Sequence, residues 1–267
     1  MSNWNLLFFG VYPYVAVAIC IIGSWARFDL SQYSWKAGSS QMLSSKNMRV
    51  ASNLFHVGIL FVLAGHVVGL LTPASVYHHV ISTEHKQLLA MVSGGIFGTL
   101  CLIGLVMLIQ RRLFEPRVRA SSSTSDIMIL LVLLAQLVMG LLSIFASAQH
   151  MDGSVMVLLA NWAQSVVTFQ PIEAAQAMAS VGVLFKLHIV LGLSLFVLFP
   201  FTRLVHIISA PVWYLGRRYQ IVRQKGARPV VARVPVPPVA APVRAAPSVI
   251  PAPAYAFKAA KVTDSVN

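Results

Sequence analysis

Apolar positions run almost unbroken through five stretches, at residues 5–26, 50–71, 87–110, 127–146 and 181–208, with polar segments between them. A run of about 20 apolar residues is what an α-helix needs to cross the hydrocarbon core of a bilayer. The pattern therefore predicts an all-α polytopic membrane protein with five transmembrane helices. Pro13 falls inside the first run and predicts a kink near one end, which neighbouring helices can tolerate. Pro200 predicts a bend in the fifth. A further uncharged stretch, residues 153–172, contains Asn161, Gln164, Ser165, Thr168 and Gln170 and is bounded by Asp152 and Glu173. It reads as an exterior amphipathic segment lying at the interface, not as a sixth crossing.

The connections alternate in charge. Arg27, Lys36, Lys46 and Arg49 follow the first helix, Arg111, Arg112, Arg117 and Arg119 the third, and Arg217, Arg218, Arg223 and Lys225 the fifth, whereas residues 120–185 contain no lysine or arginine. Basic loops stay in the cytoplasm, so the N-terminus is expected outside and the C-terminus in the cytoplasm. A sixth crossing would reverse the C-terminal end. From residue 226 the composition turns to Pro, Ala and Val without helical period, which cannot pack as a helix. Two regions follow: a five-helix transmembrane domain at 1–225 and a disordered cytoplasmic tail at 226–267. No basic residue precedes the first run and no small-residue cleavage site follows it, so a cleaved secretory signal is not expected.

Composition changes this picture little. A mean hydropathy of +0.76 and a charged fraction of only 10% agree with a bilayer protein. The net charge of +13 is sorted by side of the membrane, which argues against nucleic acid as a partner and for lipid. Cys20 and Cys101 each stand alone, and no C-x-x-C-H occurs. Disulfide, zinc and covalent haem attachment are therefore not indicated.

Chemistry enters with the histidines. His56 and His66 lie inside the second apolar run, and His188 and His206 inside the fifth. An imidazole in hydrocarbon is costly without a partner and is a functional hypothesis by default. The second and fifth helices run antiparallel, so depth pairs His66 with His188 toward the outside and His56 with His206 toward the cytoplasm. At about 1.5 Å per residue the two helix-two histidines are roughly 15 Å apart and the two on helix five roughly 27 Å. Eighteen residues are five turns, so His188 and His206 are expected on one face, whereas His56 and His66 are rotated by roughly 80°. No carboxylate or thiolate sits at these depths to complete a zinc or non-haem site. Bis-histidine ligation of two b haems fits the four imidazoles, and saturated axial positions suit electron transfer. Gly58, Gly65, Gly69 and Gly192 could admit a porphyrin or a neighbouring helix. His78, His79, His85 and His150 fall in exterior loops or helix ends, where solvated roles are the default. Lys86, at the start of the third helix, reads from the residues alone as an interfacial anchor. Lys186 and Arg203, near the ends of the fifth helix, read as snorkelling toward the two interfaces.

Residues 6–222 also resemble a known family. The resemblance is carried by Y-P-Y at 12–14, G-S-W-x-R at 23–27, S-S-Q-M-L at 39–43, A-S-N-L-F-H at 51–56, R-R-L-F-x-P-R-V-R-A at 111–120, S-A-Q-H-M-D-G-S at 147–154, W-A-Q-S-V-V-T-F at 162–169 and the L-F-P-F run around Pro200. These motifs are similar to those of the gamma subunit of respiratory nitrate reductase, a multi-pass cytochrome b of the bacterial cytoplasmic (inner) membrane. The resemblance implies two haem b groups, with His66 and His188 holding the outer iron and His56 and His206 the inner. It implies quinol oxidation beside the outer haem, with Lys86 at the quinol site and Gly65 near it. Electrons would pass inward through the haems to an iron-sulfur beta subunit and a molybdenum-containing alpha subunit that reduces nitrate. The basic loop 111–119 and the loop after helix one would dock those subunits, although membrane topology explains their charge equally well. A related dihaem cytochrome serving another soluble reductase, or a haem-free anchor or transporter, are the competing readings.

Overall fold

The computed structural model describes residues 3–43, 47–209 and 216. The region boundary at 225, the tail at 226–267 and the basic residues beyond 216 lie outside them. The long helices are α1 (Tyr12–Ser31), α2 (Met48–Leu71), α3 (Thr83–Phe114), α4 (Thr124–Ala148) and α7 (Val183–Leu198), and between the last two lie α5 (Ser154–Val167) and α6 (Pro171–Ala177). Among the described residues, five segments are long and apolar enough to cross a membrane: Asn3–Ser34, Met48–Leu71, Thr83–Phe114, Thr124–Ala148 and Val183–Phe201. The all-α, five-span architecture expected from the apolar pattern is present, and helix α5 is too short to be a sixth span.

Neighbour packing runs α2 to α3, α3 to α4, α4 to α7 and α7 to α1. Helices α5 and α6 close the arc at one end, α5 packing on α2 and α6 on the segment before α1. Helices α2 and α7, which carry three of the four spanning-segment histidines, thus face each other across the arc. Large apolar side chains such as Leu60, Phe61, Val67 and Val68 on α2 stay more than half exposed. So much apolar surface suits lipid as the outer solvent.

Helices α2 and α3 meet backbone to backbone. A Cβ at Gly58 would fall 2.6 Å from the Cys101 nitrogen, and one at Gly104 2.4 Å from the Phe55 nitrogen. Of the glycines that could have served porphyrin or helix, Gly58 serves the helix.

Pro13 acts through a change of helix type. A π-helical turn, Leu6–Val11, precedes α1, and Pro13 sits in the first turn of the α-helix, where a missing N–H is tolerated. Pro13 brings no N–H to the carbonyl of Phe9, and the buried Trp162 indole N–H donates to that oxygen at 3.1 Å. Its neighbours also reach across: Tyr14 donates to the Val166 carbonyl at 3.1 Å, and Tyr12 lies 2.9 Å from the Ser194 hydroxyl. Gly10 admits the backbone of α6, since a Cβ there would lie 2.6 Å from the Pro171 carbonyl oxygen. The interfacial segment is therefore fixed to the bundle by the Y-P-Y and W-A-Q-S motifs together.

The fifth span departs from expectation. Helix α7 ends at Leu198, and short 3-10 turns, Phe199–Phe201 and Arg203–Ile207, carry the chain on, with extended backbone at Thr202 between them. Pro200 cannot donate into the helical ladder. Thr202 caps the next turn, its hydroxyl accepting from the Leu204 N–H at 3.4 Å. Arg27 of α1 donates to the carbonyls of both Pro200 and Thr202 at 2.7 Å, and Gly23 one turn earlier leaves room for the Pro200 ring. The G-S-W-x-R motif is thus the receptor for the broken helix.

Candidate functional site

The arc brings the four span histidines together two by two. The rings of His56 and His206 have centroids 6.4 Å apart at 77° between planes, and those of His66 and His188 are 6.2 Å apart at 37°. The helical break carries the inner pair. His206 stands on the second 3-10 turn, not on the helix of His188, so the expected shared face does not apply.

Hydrogen bonds fix the tautomers. Nδ1 of His56 lies 2.7 Å from the Ser52 carbonyl oxygen, that of His66 2.8 Å from the Val62 oxygen, and that of His206 2.6 Å from the Arg203 oxygen. A carbonyl only accepts, so each Nδ1 carries the proton and each Nε2 keeps a lone pair for a ligand. His188 differs. Among the described residues its Nδ1 has no partner, and its Nε2 lies 3.4 Å from the amide nitrogen of Gln136. Among the described residues no three His, Cys, Asp or Glu side chains converge as a metal site would require.

The end of the bundle that carries His56 and His206 is cross-braced by arginines. Arg112 and Arg203 both donate to the Gly38 carbonyl, at 3.3 and 3.0 Å, and Arg111 donates to the Ser40 carbonyl at 2.9 Å. Asp126, in the capping box that starts α4, lies 3.7 Å from each of Arg112 and Arg203. The snorkelling role expected for Arg203 is thus replaced by an inward one, because the turn after Thr202 aims its guanidinium at Asp126 and Gly38. Arg112 is buried, and Arg117 and Arg119 remain exposed. Lys186, near the start of α7, lies 3.5 Å from the Ala179 carbonyl.

At the opposite end of the bundle Lys86 is buried at the start of α3. Its ammonium lies 3.7 Å from the centroid of the Tyr77 ring and 3.5 Å from the Thr72 carbonyl. Such an ammonium over an aromatic face is attracted by the ring quadrupole. Gly65 faces open space, with nothing within 4 Å of a Cβ placed there, and Gly69 meets only the tip of Met156. Gln87, next to Lys86, donates to the carbonyls of Ser147 and His150 and lies 2.9 Å from the Ser147 hydroxyl, locking the start of α3 to the end of α4. The turn that follows is held by Asp152, which accepts from the Ser154 hydroxyl at 2.8 Å and its N–H at 3.2 Å. Those bonds hold the Asp152 carboxyl below the usual range.

Comparison with known proteins decides the family. A model of the nitrate reductase gamma subunit matches residues 5–225. The chain is 55% identical over 225 residues to the respiratory nitrate reductase 1 gamma chain of Escherichia coli (strain K12), spanning 84% of this chain and 100% of that one. It is 50% identical to the respiratory nitrate reductase 2 gamma chain of the same organism, spanning 83% and 97%. It is 38% identical to the nitrate reductase gamma chain of Bacillus subtilis (strain 168), spanning 82% and 98%. The chain belongs to the nitrate reductase gamma subunit family. As a gamma subunit with five apolar spans, it is a multi-pass protein of the bacterial inner membrane.

Two residues, Tyr77 against Lys86 and Gln136 against His188, were not singled out from sequence. Tyr77 sits in a short helical turn, Ala74–Tyr77, where an aromatic residue near an interface attracts no notice. Gln136 carried a usable signal, since it is a polar side chain in the middle of an otherwise apolar span.

Proposed function

We propose that this gamma-family chain is the quinol-oxidising cytochrome b subunit of its complex, holding one haem b between His66 and His188 and a second between His56 and His206. The observation that carries the reading is the separation of the paired rings, 6.2 and 6.4 Å between centroids. A metal–nitrogen bond of about 2 Å plus about 1.1 Å from nitrogen to ring centre, taken on both sides, gives roughly 6.3 Å. Among the described residues each site offers two imidazole ligands, so a metal there must bring the rest of its coordination with it, as a porphyrin iron does. When bound, such an iron supplies one-electron transfer.

The chain's own residues do the remainder. Three Nδ1–H to carbonyl bonds orient the imidazoles and raise their basicity as ligands. Lys86 has three N–H donors, and the Tyr77 face and the Thr72 carbonyl leave capacity to bind a quinol oxygen. The open space at Gly65, next to His66 in the chain, gives a flat ring access to the outer pair. A quinol there gives up two electrons and two protons and leaves as quinone. The arginine-braced end faces the cytoplasm, and its exposed Arg117 and Arg119, with the 35–43 loop, form the docking surface for an iron-sulfur beta subunit and a molybdenum-containing alpha subunit. Protons then leave on the outer side while electrons move inward. Each charge carried across the full potential is worth about 2.3 kcal/mol per 100 mV.

Adding a quinol to membranes containing the complete complex tests this. The expected result is reduction of a b-type absorbance that is reoxidised on adding nitrate. A complex whose b absorbance ignores quinol would overturn the quinol-oxidising role, and one reoxidised only by another acceptor would point to a different soluble partner.

A further inference from the structure

Helices α4 and α7 cross through a reciprocal pair of notches. Gln136 and Gly140 lie about one turn apart on α4, as do His188 and Gly192 on α7. A Cβ at Gly140 would fall 3.0 Å from Cε1 of His188, and one at Gly192 would fall 3.1 Å from the amide nitrogen of Gln136. Each glycine thus receives the polar side chain of the other helix.

Two buried polar atoms at this crossing have no partner among the described residues, Oε1 of Gln136 and Nδ1 of His188. An unpaired amide at this depth in a membrane is costly. A half-turn about the last bond of Gln136 exchanges its two ends and carries an acceptor to the imidazole, whose nearer nitrogen is 3.4 Å away. The other three histidines place Nδ1 on a carbonyl of their own chain segment, and His188 makes no such bond. A ligating imidazole needs one nitrogen for the metal and an acceptor for the N–H on the other.

We propose that Gln136 is a positioning residue for the outer site, its carboxamide oxygen accepting the N–H of whichever His188 nitrogen faces away from the iron. This bond sets the tautomer and ring angle of His188 and makes it a stronger donor. A stronger donor favours the oxidised iron, so the bond lowers the outer potential. The inference rests on the reading of His66 and His188 as haem ligands.

Redox titration of the purified complete complex, followed optically and by electron paramagnetic resonance, tests it with two variants. Gln136→Leu removes the acceptor, and the outer haem is expected to become easier to reduce by tenfold or more, about 59 mV for a one-electron couple. The inner haem should not move. Gln136→Glu keeps an acceptor oxygen at the same reach and should hold the outer potential at or below the native value. If Gln136→Leu destabilises the site so far that the outer haem is lost, Gln136→Glu must retain it. The proposal is overturned by an outer potential that does not rise in Gln136→Leu, by equal rises in both variants, or by loss of the outer haem from both. A native complex lacking the two haems would instead overturn the ligand reading itself, which separates the two failures.

Discussion

At the inner histidine pair, the segment leading to His206 is tied down by charged side chains from three other parts of the chain. Arg27 holds the carbonyls of Pro200 and Thr202, Arg112 shares Gly38 with Arg203, and Asp126 stands between Arg112 and Arg203. At the outer pair His188 meets one uncharged carboxamide, and Gly65 beside His66 faces open space. The end that carries His56 and His206 is thus held in one geometry by charged side chains. The outer end leaves room for something to enter and leave. Two pairs of nearly equal ring separation therefore stand in different surroundings.

The strongest way to break this comparison is to remove one imidazole from each pair. His66→Ala should remove the outer haem and reduce quinol-driven turnover by more than about 100-fold while the inner haem's spectrum persists. His206→Ala should remove the inner haem and leave the outer one. Loss of the inner haem alone from His66→Ala would show that the pairs are exchanged.

Next in size is Lys86→Gln. It should slow quinol oxidation by about 100-fold with both haems retained. Unchanged turnover would return Lys86 to the role of a packed interfacial cation, held by Tyr77.

Asp126→Asn sharpens the inner half of the contrast. It leaves Arg112 and Arg203 without their carboxylate, and thermal unfolding in detergent should show a loss of about 1–2 kcal/mol, since the pair is only partly screened by solvent. Quinol affinity at the other end should not change.

The smallest effect concerns the outer turn and is read as a pH dependence. Asp152 has a folded pKa below its ordinary value, so its contribution is complete above about pH 3.9 and is lost as the pH falls through the lowered folded value. Melting temperatures of native and Asp152→Asn protein should differ at pH 6 and converge in acid. A gap that widens in acid would contradict the assignment.

The span count and the pairing of His56 with His206 and His66 with His188 were legible because apolar length and depth are written along one chain. The break at Thr202 was only half legible. Pro200 announced a bend, yet what makes the break tolerable is Arg27, whose reach to two carbonyls depends on how α1 sits beside α7. For the same reason Arg203 looked like an interfacial cation, because nothing local to it says that Asp126 and Gly38 lie within reach. Gln136 and Tyr77 act through neighbours on other elements, so they emerge only when those elements are packed. Gly58 and Gly65 show the same limit: identical residues on one helix, one pressed onto α3 and the other open.

The central claim is that the two imidazole pairs each hold one b haem. A pyridine haemochrome assay on the purified, haem-replete complex, normalised to gamma chain, tests it most directly. The account predicts two b haems per chain, falling to one in His66→Ala. A replete preparation with no b haem, or one whose two haems both survive loss of His66, would contradict it.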